Sequence, residues 1–357
     1  MDAPKLTLPT EVCSQVVQYA YPSDLPALGR TSKAFQVLAE TRIYVHITMK
    51  DDASLRRIGT ALLSRDHVRS SYVRRLWVYQ DPRISRGPWS EGHWRVIQNI
   101  LPKLVNLEST YIFDEAYVNT WIFDTNQIRF QLREATFGFN WDNALVNFLE
   151  GQHELRILCI QAPDEDDNTR RTLAPGSLQK LESFDGPLFV ATDLITSPLR
   201  RLCIRVDEEN APLFSAYITE FARTNKTLSS LNVLHVPEYL VADSLHVLAL
   251  SPVSGSLRYL GILNLPVSER YDIHRSLLKF ERLEVIQMDV SHWNPPAMIL
   301  HFAMLATELR TYCFTLRCVV IWVNTQQWLG RCENDHWVFQ QLPGQHHPTR
   351  DNQWRDY

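Results

Sequence analysis

The sequence predicts an α/β protein: a short N-terminal helical segment, then an array of strand-and-return units, then a closing β-hairpin. Three observations carry this expectation. The first 47 residues hold three short helical patterns with start signals. From about Asp52 onward a Leu-x-x-Leu-x-apolar pattern recurs in phase. Near the end, two β-rich stretches flank turn residues.

The first helix opens at Leu8-Pro9-Thr10-Glu11-Val12. Proline suits a first helical turn, where its missing N–H costs nothing and its fixed φ helps. Glu11 adds the negative charge that a helix N-terminus favours. Val12, Val16, Val17 and Ala20 follow at helical spacing. Tyr21-Pro22 breaks the pattern. Ser23 or Asp24 can cap a second helix carrying Leu25 and Leu28. After Thr31-Ser32 a third pattern takes Ala34, Phe35, Leu38, Ile43, Tyr44 and Ile47.

This segment resembles an F-box. The family pattern of Leu-Pro-x-Glu/Asp, a hydrophobic helix, Asp-Leu, a Leu, a polar step and an aromatic is matched by Leu8, Pro9, Glu11, Val12, Val16, Asp24, Leu25, Leu28, Ser32, Lys33 and Phe35. The usual Val-Cys before the basic residue is replaced by Thr31-Ser32, and the usual Trp by Phe35, as in fungal members. Residues read without the resemblance also allow an ordinary helical cap on a larger domain.

The repeated pattern comes next. Clear copies begin at Leu155, Leu199, Leu228, Leu257, Leu283 and Leu309, and looser ones at Val73, Leu104, Leu132 and Leu178. Their second apolar positions are residues 76, 107, 135, 158, 181, 202, 231, 260, 286 and 312. Such steps are similar to those of leucine-rich repeats, which advance about 20–29 residues per unit. The repeat's usual Asn is missing from most copies and the steps vary, so an irregular solenoid is expected. A generic α/β domain with a parallel sheet would give the same alternation.

The intervals read as returning helices. Asp52 to Val68 carries Leu55, Ile58, Leu62 and Leu63. Trp94, Ile97 and Leu101 form a stripe ended by Pro102. Asp142 caps Ala144, Leu145, Phe148 and Leu149. Leu213, Phe214, Tyr217, Ile218 and Phe221 end near Thr224-Asn225, and Pro295-Pro296 opens Met298, Ile299, Phe302 and Leu305. Cys318 to Val323 and His336 to Phe339 read as the closing hairpin, which would cover the open end of the array. Beyond Pro343-Gly344 the chain is polar apart from Trp354 and Tyr357, so a frayed tail is expected. The resulting domains are 1–47, 48–316 and 317–357.

Composition narrows the function. A net charge of −4 over 357 residues carries no electrostatic footprint for nucleic acid or an acidic membrane surface. No apolar run approaches a membrane span, and Met1-Asp2-Ala3-Pro4-Lys5 lacks a signal-peptide pattern. An intracellular protein, cytoplasmic or nuclear, is expected. The six cysteines are scattered without a C-x-x-C pair, which suggests reduced thiols.

No phosphate-binding, dinucleotide, nucleophile-elbow or zinc-helix motif occurs. Asp164-Glu165-Asp166-Asp167 lacks the alternation of a calcium loop. Cys332, His336, His346 and His347 fit no familiar zinc framework. No catalytic residue, metal or cofactor is therefore expected. An enzyme of a parallel α/β fold remains a rival reading.

Together, the N-terminal segment and the repeats resemble F-box/leucine-rich-repeat proteins. The resemblance implies a substrate-recognition subunit of an SCF-type (Skp-cullin-F-box) ubiquitin ligase. Its partners would be the Skp-type adaptor, through it the cullin-RING ligase, and an unknown protein substrate. The adaptor would meet Leu8, Pro9, Val12, Val16, Leu25, Leu28 and Phe35. A repeat scaffold without any ligase role is the alternative. Side chains alternate along a strand. With Leu202 and Ile204 inward, Arg201, Cys203 and Arg205 take the other face. The same logic puts Trp77, Tyr79, Tyr259 and Asp289 there as target-binding candidates, along with Arg75, Gln161 and Gln287. Trp, Tyr and Arg are the types enriched in interface hot spots.

Overall fold

Three helices start where a side-chain acceptor takes orphan N–H groups. The Ser32 hydroxyl accepts from Phe35 N at 3.2 Å, and Asp51 accepts from Ser54 N at 2.6 Å. Asp142 accepts from Ala144 N and Leu145 N at 3.0 and 3.1 Å. Each bond satisfies a donor that the helix itself leaves unpaired.

The computed structural model describes residues 8–64, 68–84, 87–161, 172–206, 209–343 and 352–357. The acidic run 164–167 and the His346-His347 pair lie outside them. The described residues contain twelve α-helices and thirteen strands. They divide into two units, one drawn from 1–155 and 161–171, the other from 156–160 and 172–357. No helix among them is long and apolar enough to cross a membrane.

The first unit begins with helices α1 (Thr10–Tyr19), α2 (Leu25–Leu28) and α3 (Lys33–Tyr44). Strand β1 (His46–Met49), helices α4 (Asp52–Leu62) and α5 (Val68–Tyr72), and strand β2 (Arg75–Val78) follow. Then come α6 (Glu91–Ile100), β3 (Ser109–Phe113), β4 (Glu134–Gly138) and α7 (Asn143–Glu150). Strands β1 to β4 are parallel and in chain order, with Ile47 beside Leu76, Leu76 beside Thr110 and Thr110 beside Ala135. Ile47, expected on the third helix, is therefore in the sheet. The run Val45-His46-Ile47-Thr48 is rich in β-branched residues, which lose χ1 freedom in a helix and fit a strand. The aromatic rings of Phe123, Phe137 and Phe148 pack β4 against α7, with Phe123 stacked on Phe148 at 4.5 Å.

The second unit alternates β5 (Ile157–Ile160), β6 (Ser183–Pro187), α8 (Leu188–Asp193), β7 (Arg201–Arg205), α9 (Ala211–Thr224), β8 (Ser230–Leu234) and α10 (Val241–Ala249). It continues with β9 (Tyr259–Asn264), α11 (Arg270–Leu277), β10 (Val285–Asp289) and α12 (Ile299–Tyr312). The last strands are β11 (Cys318–Val323), β12 (Gln326–Glu333) and β13 (His336–Gln341). From β5 to β11 every pair is parallel, and Leu158, Phe184, Leu202, Leu231, Leu260, Ile286 and Val319 form one row across them. On one side, Phe214 and Ile218 of α9 and Leu245 and Leu248 of α10 meet Leu231, Val233 and Leu260.

Three positions of the sequence ruler miss the sheet. Leu107 and Leu181 precede β3 and β6, and both are buried in the turns that lead into them. Tyr312 ends α12, because Leu309 and Tyr312 at i and i+3 also fit a helix face, where Phe302, Leu305 and Leu309 are buried. The expected hairpin is instead a meander. β11 pairs parallel with β10 and antiparallel with β12, and β12 pairs antiparallel with β13. The turns place Asn324, Asn334 and Asp335 at positive φ, which Asn and Asp tolerate.

Strand entries repeat one device. The amides of the last entry residue and of the first strand residue both donate to the preceding rung, as Arg200 N and Arg201 N do to Glu182 O. The entry side chains carry charges of both signs. Arg74 meets Glu108 at 2.7 Å, Arg156 meets Glu182 at 3.8 Å and Arg258 meets Glu284 at 3.0 Å.

Candidate functional site

The helices of the N-terminal segment bury only one face. Val17, Leu25 and Ala39 form its small core, with Ala20, Phe35, Leu38 and Ile43 packed against them. Arg42 on α3 donates to the main-chain oxygens of Val17 and Ala20, closing the C-terminal end of α1. Among the described residues another face of α1 stays uncovered: Val12 is 40% exposed and Val16 41%, and Leu8, just before the helix, is 59% exposed. Pro9 is exposed beside them. Leu25 departs from the expected adaptor set. It is buried at 2% exposure inside the three-helix core, so its side chain holds the helices together. Leu28 and Phe35 are half-buried, and Phe35 packs against the same core. Among the described residues nothing covers this apolar patch.

The second surface is the helix-free side of the sheet in the first unit. His46, Trp77 and Tyr111 stand on neighbouring strands, with ring centroids 4.8 Å apart for His46–Trp77 and 6.2 Å for Trp77–Tyr111. Tyr79 meets Tyr111 edge-on at 6.0 Å. Trp77 is 43% exposed and His46, Tyr79 and Tyr111 are half-buried, so the row is open at Trp77. Burial, helped by the positive charge of Arg75, lowers the pKa of His46 and favours its neutral form. Strand alternation identified Trp77 and Tyr79, but not His46, which sequence reading assigned to the end of a helix.

The helix-free side of the second unit is different. Cys203, Leu234, Tyr259, Ile262, Val285, Val320 and Trp322 form an apolar cluster there, and Trp354 completes it. The expected frayed tail is therefore wrong for residues 352–357. A 3₁₀ turn, Gln353–Asp356, lies against the sheet with Trp354 only 2% exposed. Ser230 Oγ donates to the Trp354 main-chain oxygen at 2.7 Å, and Ser229 Oγ to that of Tyr357 at 2.7 Å. The Tyr357 ring stacks on Tyr259 at 5.7 Å. Arg355 reaches Asp185 at 3.0 Å.

This contact changes the expected target-binding set. Tyr259 is fully buried under Tyr357, and its hydroxyl donates to Gln287. Arg205 is held by Asp185 at 3.5 Å and by the Ile160 main-chain oxygen at 2.6 Å. Asp289 accepts from Ser291 N at 2.8 Å and so stabilises the turn after β10. Arg201 is half-buried. Of the six candidates, Trp77 is the one whose side chain is widely open.

The nucleophilic groups here are quiet. Burial pushes the Cys159 thiol up to about 12, and burial pushes Cys203 well above the usual thiol range; the Asp185 carboxylate adds to both. Both stay neutral thiols, which are poor nucleophiles. Among the described residues no group of three His, Cys, Asp or Glu side chains is placed to hold a metal ion. Sequence reading missed Asp185 and the 352–357 segment. The signal was present: two large aromatics and an Arg standing in an otherwise polar stretch.

Comparison with known proteins finds no family model and no curated protein that matches this chain.

Proposed function

We propose that this chain is the substrate-recognition subunit of an SCF-type ubiquitin ligase. The observation that carries the reading is the uncovered face of α1, with Leu8, Val12 and Val16 exposed on a three-helix segment whose residues resemble an F-box. A face of this composition suits a Skp-type adaptor, reached through Leu8, Pro9, Val12 and Val16 with Leu28 and Phe35 at its margin. The strand array then acts as an irregular leucine-rich-repeat solenoid that presents a target protein, and the open row of His46, Trp77 and Tyr111 supports target contact. Chemistry belongs to the partners. This chain raises the local concentration of target lysines near the activated ubiquitin. The reading carries a cytoplasmic or nuclear location.

The test is adaptor capture. Leu8→Ala with Pro9→Ala should lower adaptor binding at least about 30-fold, roughly 2 kcal/mol, the scale of a lost interface hot spot. The melting transition should stay within a few degrees, because both residues are exposed. Undiminished capture by the double variant, at equal expression, removes the adaptor-docking reading and leaves a repeat scaffold without a ligase role.

A further inference from the structure

We propose that the helix-free face of the second unit is a peptide-binding site for segments of the form Trp-Arg-x-Tyr, filled in cis by residues 354–357. This deepens the substrate-receptor reading by naming the chemistry of the target, and it rests on that reading only for the word target.

The segment is seated like a ligand. Two serine hydroxyls of the sheet, those of Ser229 and Ser230, donate to its backbone oxygens. Three of its side chains anchor it. Trp354 enters the apolar cluster of Cys203, Tyr259, Val285, Val320 and Trp322. Arg355 pairs with Asp185. Tyr357 lies between the Tyr259 ring at 5.7 Å and the Arg258 guanidinium at 5.7 Å.

The receptor groups also have partners outside the segment. Asp185 keeps Arg205 as a second partner, so vacating the site leaves no lone carboxylate. Tyr259 is fixed by Gln287, and Asn232 donates to the Cys203 sulfur at 3.4 Å. A face built only for core packing would be apolar throughout, as the helix-facing row Leu202, Leu231 and Leu260 is. Here Ser183 on β6, Ser230 and Asn232 on β8 and Gln287 on β10 are polar and buried. Placed polar groups in an apolar setting confer selectivity, because a ligand that cannot pair with them leaves them unsatisfied. The segment also leaves one such group unmet: Asn232 Oδ1 is buried without a donor among the described residues.

A tether gives a cis segment an effective concentration on the order of millimolar. A free peptide at micromolar concentration then fails to displace it from the intact chain. A partner succeeds when it adds contacts elsewhere or supplies the donor that Asn232 lacks.

The experiment titrates a fluorescein-labelled peptide of residues 352–357 against the full chain and follows anisotropy. Wild type should bind at least tenfold more weakly than the full chain carrying Trp354→Ala with Tyr357→Ala. Adding Asp185→Asn to that variant should cost a further tenfold. The peptide with Arg355→Ala should show the same loss, and the two changes together should cost no more than one, since they remove one pair. A cooperatively melting double variant that binds no peptide up to the millimolar range overturns the proposal, as does binding indifferent to Asp185→Asn. Should the double variant not fold, a protease site between Pro343 and Gly344 is cut in the folded wild-type chain. Exchange of the excised segment for labelled peptide supports the proposal; a segment that stays and never exchanges overturns it. Adaptor capture is scored separately, so loss of peptide binding alone sinks this inference and loss of adaptor capture alone sinks the ligase reading.

Discussion

Asp142 concentrates three contacts on one carboxylate. It caps α7 through two main-chain amides and also accepts from the Thr120 hydroxyl. Asp142→Ala should cost about 2 kcal/mol, above a lone cap, because the buried Thr120 also loses its partner. Urea denaturation read at constant slope measures it. Glu40 offers a pH test. The Arg69 hydrogen bond holds the Glu40 carboxyl below its ordinary value of 4.5. A carboxylate with a depressed folded pKa binds fewer protons than in the unfolded chain, so its contribution is whole above 4.5 and fades as pH falls through the folded value. The melting temperature of wild type minus that of Glu40→Gln should be positive at pH 6 and shrink below pH 4.5. The pair is partly exposed, so the effect should be small. A difference that stays flat with pH would mean the pair contributes nothing to stability.

At the level of elements, the repeating strand was the most legible feature and its register the least. Leu202, Leu231 and Leu260 sit side by side as their spacing suggests. Leu107 does not, because a leucine that fills a turn and a leucine on a strand look alike in one dimension. Periodicity reports which residues are apolar together, not which secondary structure groups them. The three helices at the start were legible from spacing, although neither Ser23 nor Asp24 caps α2 through its side chain and Pro9 stands just before α1 rather than in its first turn. That Leu25 would be spent on their own core was not, since burial among three short helices depends on their packing angles. The charges at most strand entries stand one residue after a leucine, as Arg156, Glu182, Arg258 and Glu284 do, yet only stacking makes them neighbours. The arginines are exposed and the glutamates only half-buried, so Glu284→Gln should change stability by less than about 1 kcal/mol, although Arg258 meets Glu284 through two hydrogen bonds. A larger loss in thermal or urea unfolding would mean that the row acts as a coupled network.

Across the whole molecule, each strand within a unit is paired only with its neighbours in chain order, and its leucines are buried against those neighbours. Damage to one row should be severe. Leu202 is fully buried, and Leu202→Asp should cost at least about 4 kcal/mol, because an unpaired charge must be desolvated or neutralised. A shift in the urea midpoint worth less than about 1 kcal/mol would show that the row tolerates water. The helix-free side was the hardest to read in advance. Alternation assigns residues to that side, but what covers them comes from residues 354–357, nearly a hundred positions beyond Tyr259. No local pattern encodes a contact of that range.

The signs at the strand entries of the second unit also constrain how such a chain can change length. Reading along the stack, Arg156, Glu182 and Arg200 alternate, Ser229 interposes, and Arg258, Glu284 and Arg317 alternate again. Excising the unit that contributes Glu182 would set Arg156 against Arg200, and excising the one with Glu284 would set Arg258 against Arg317. Removing a two-unit block, such as those contributing Glu182 and Arg200, sets Arg156 against Ser229 and brings no like charges together. The stack therefore carries a parity, and growth or shrinkage of the array by whole units is disfavoured in odd steps where the signs alternate.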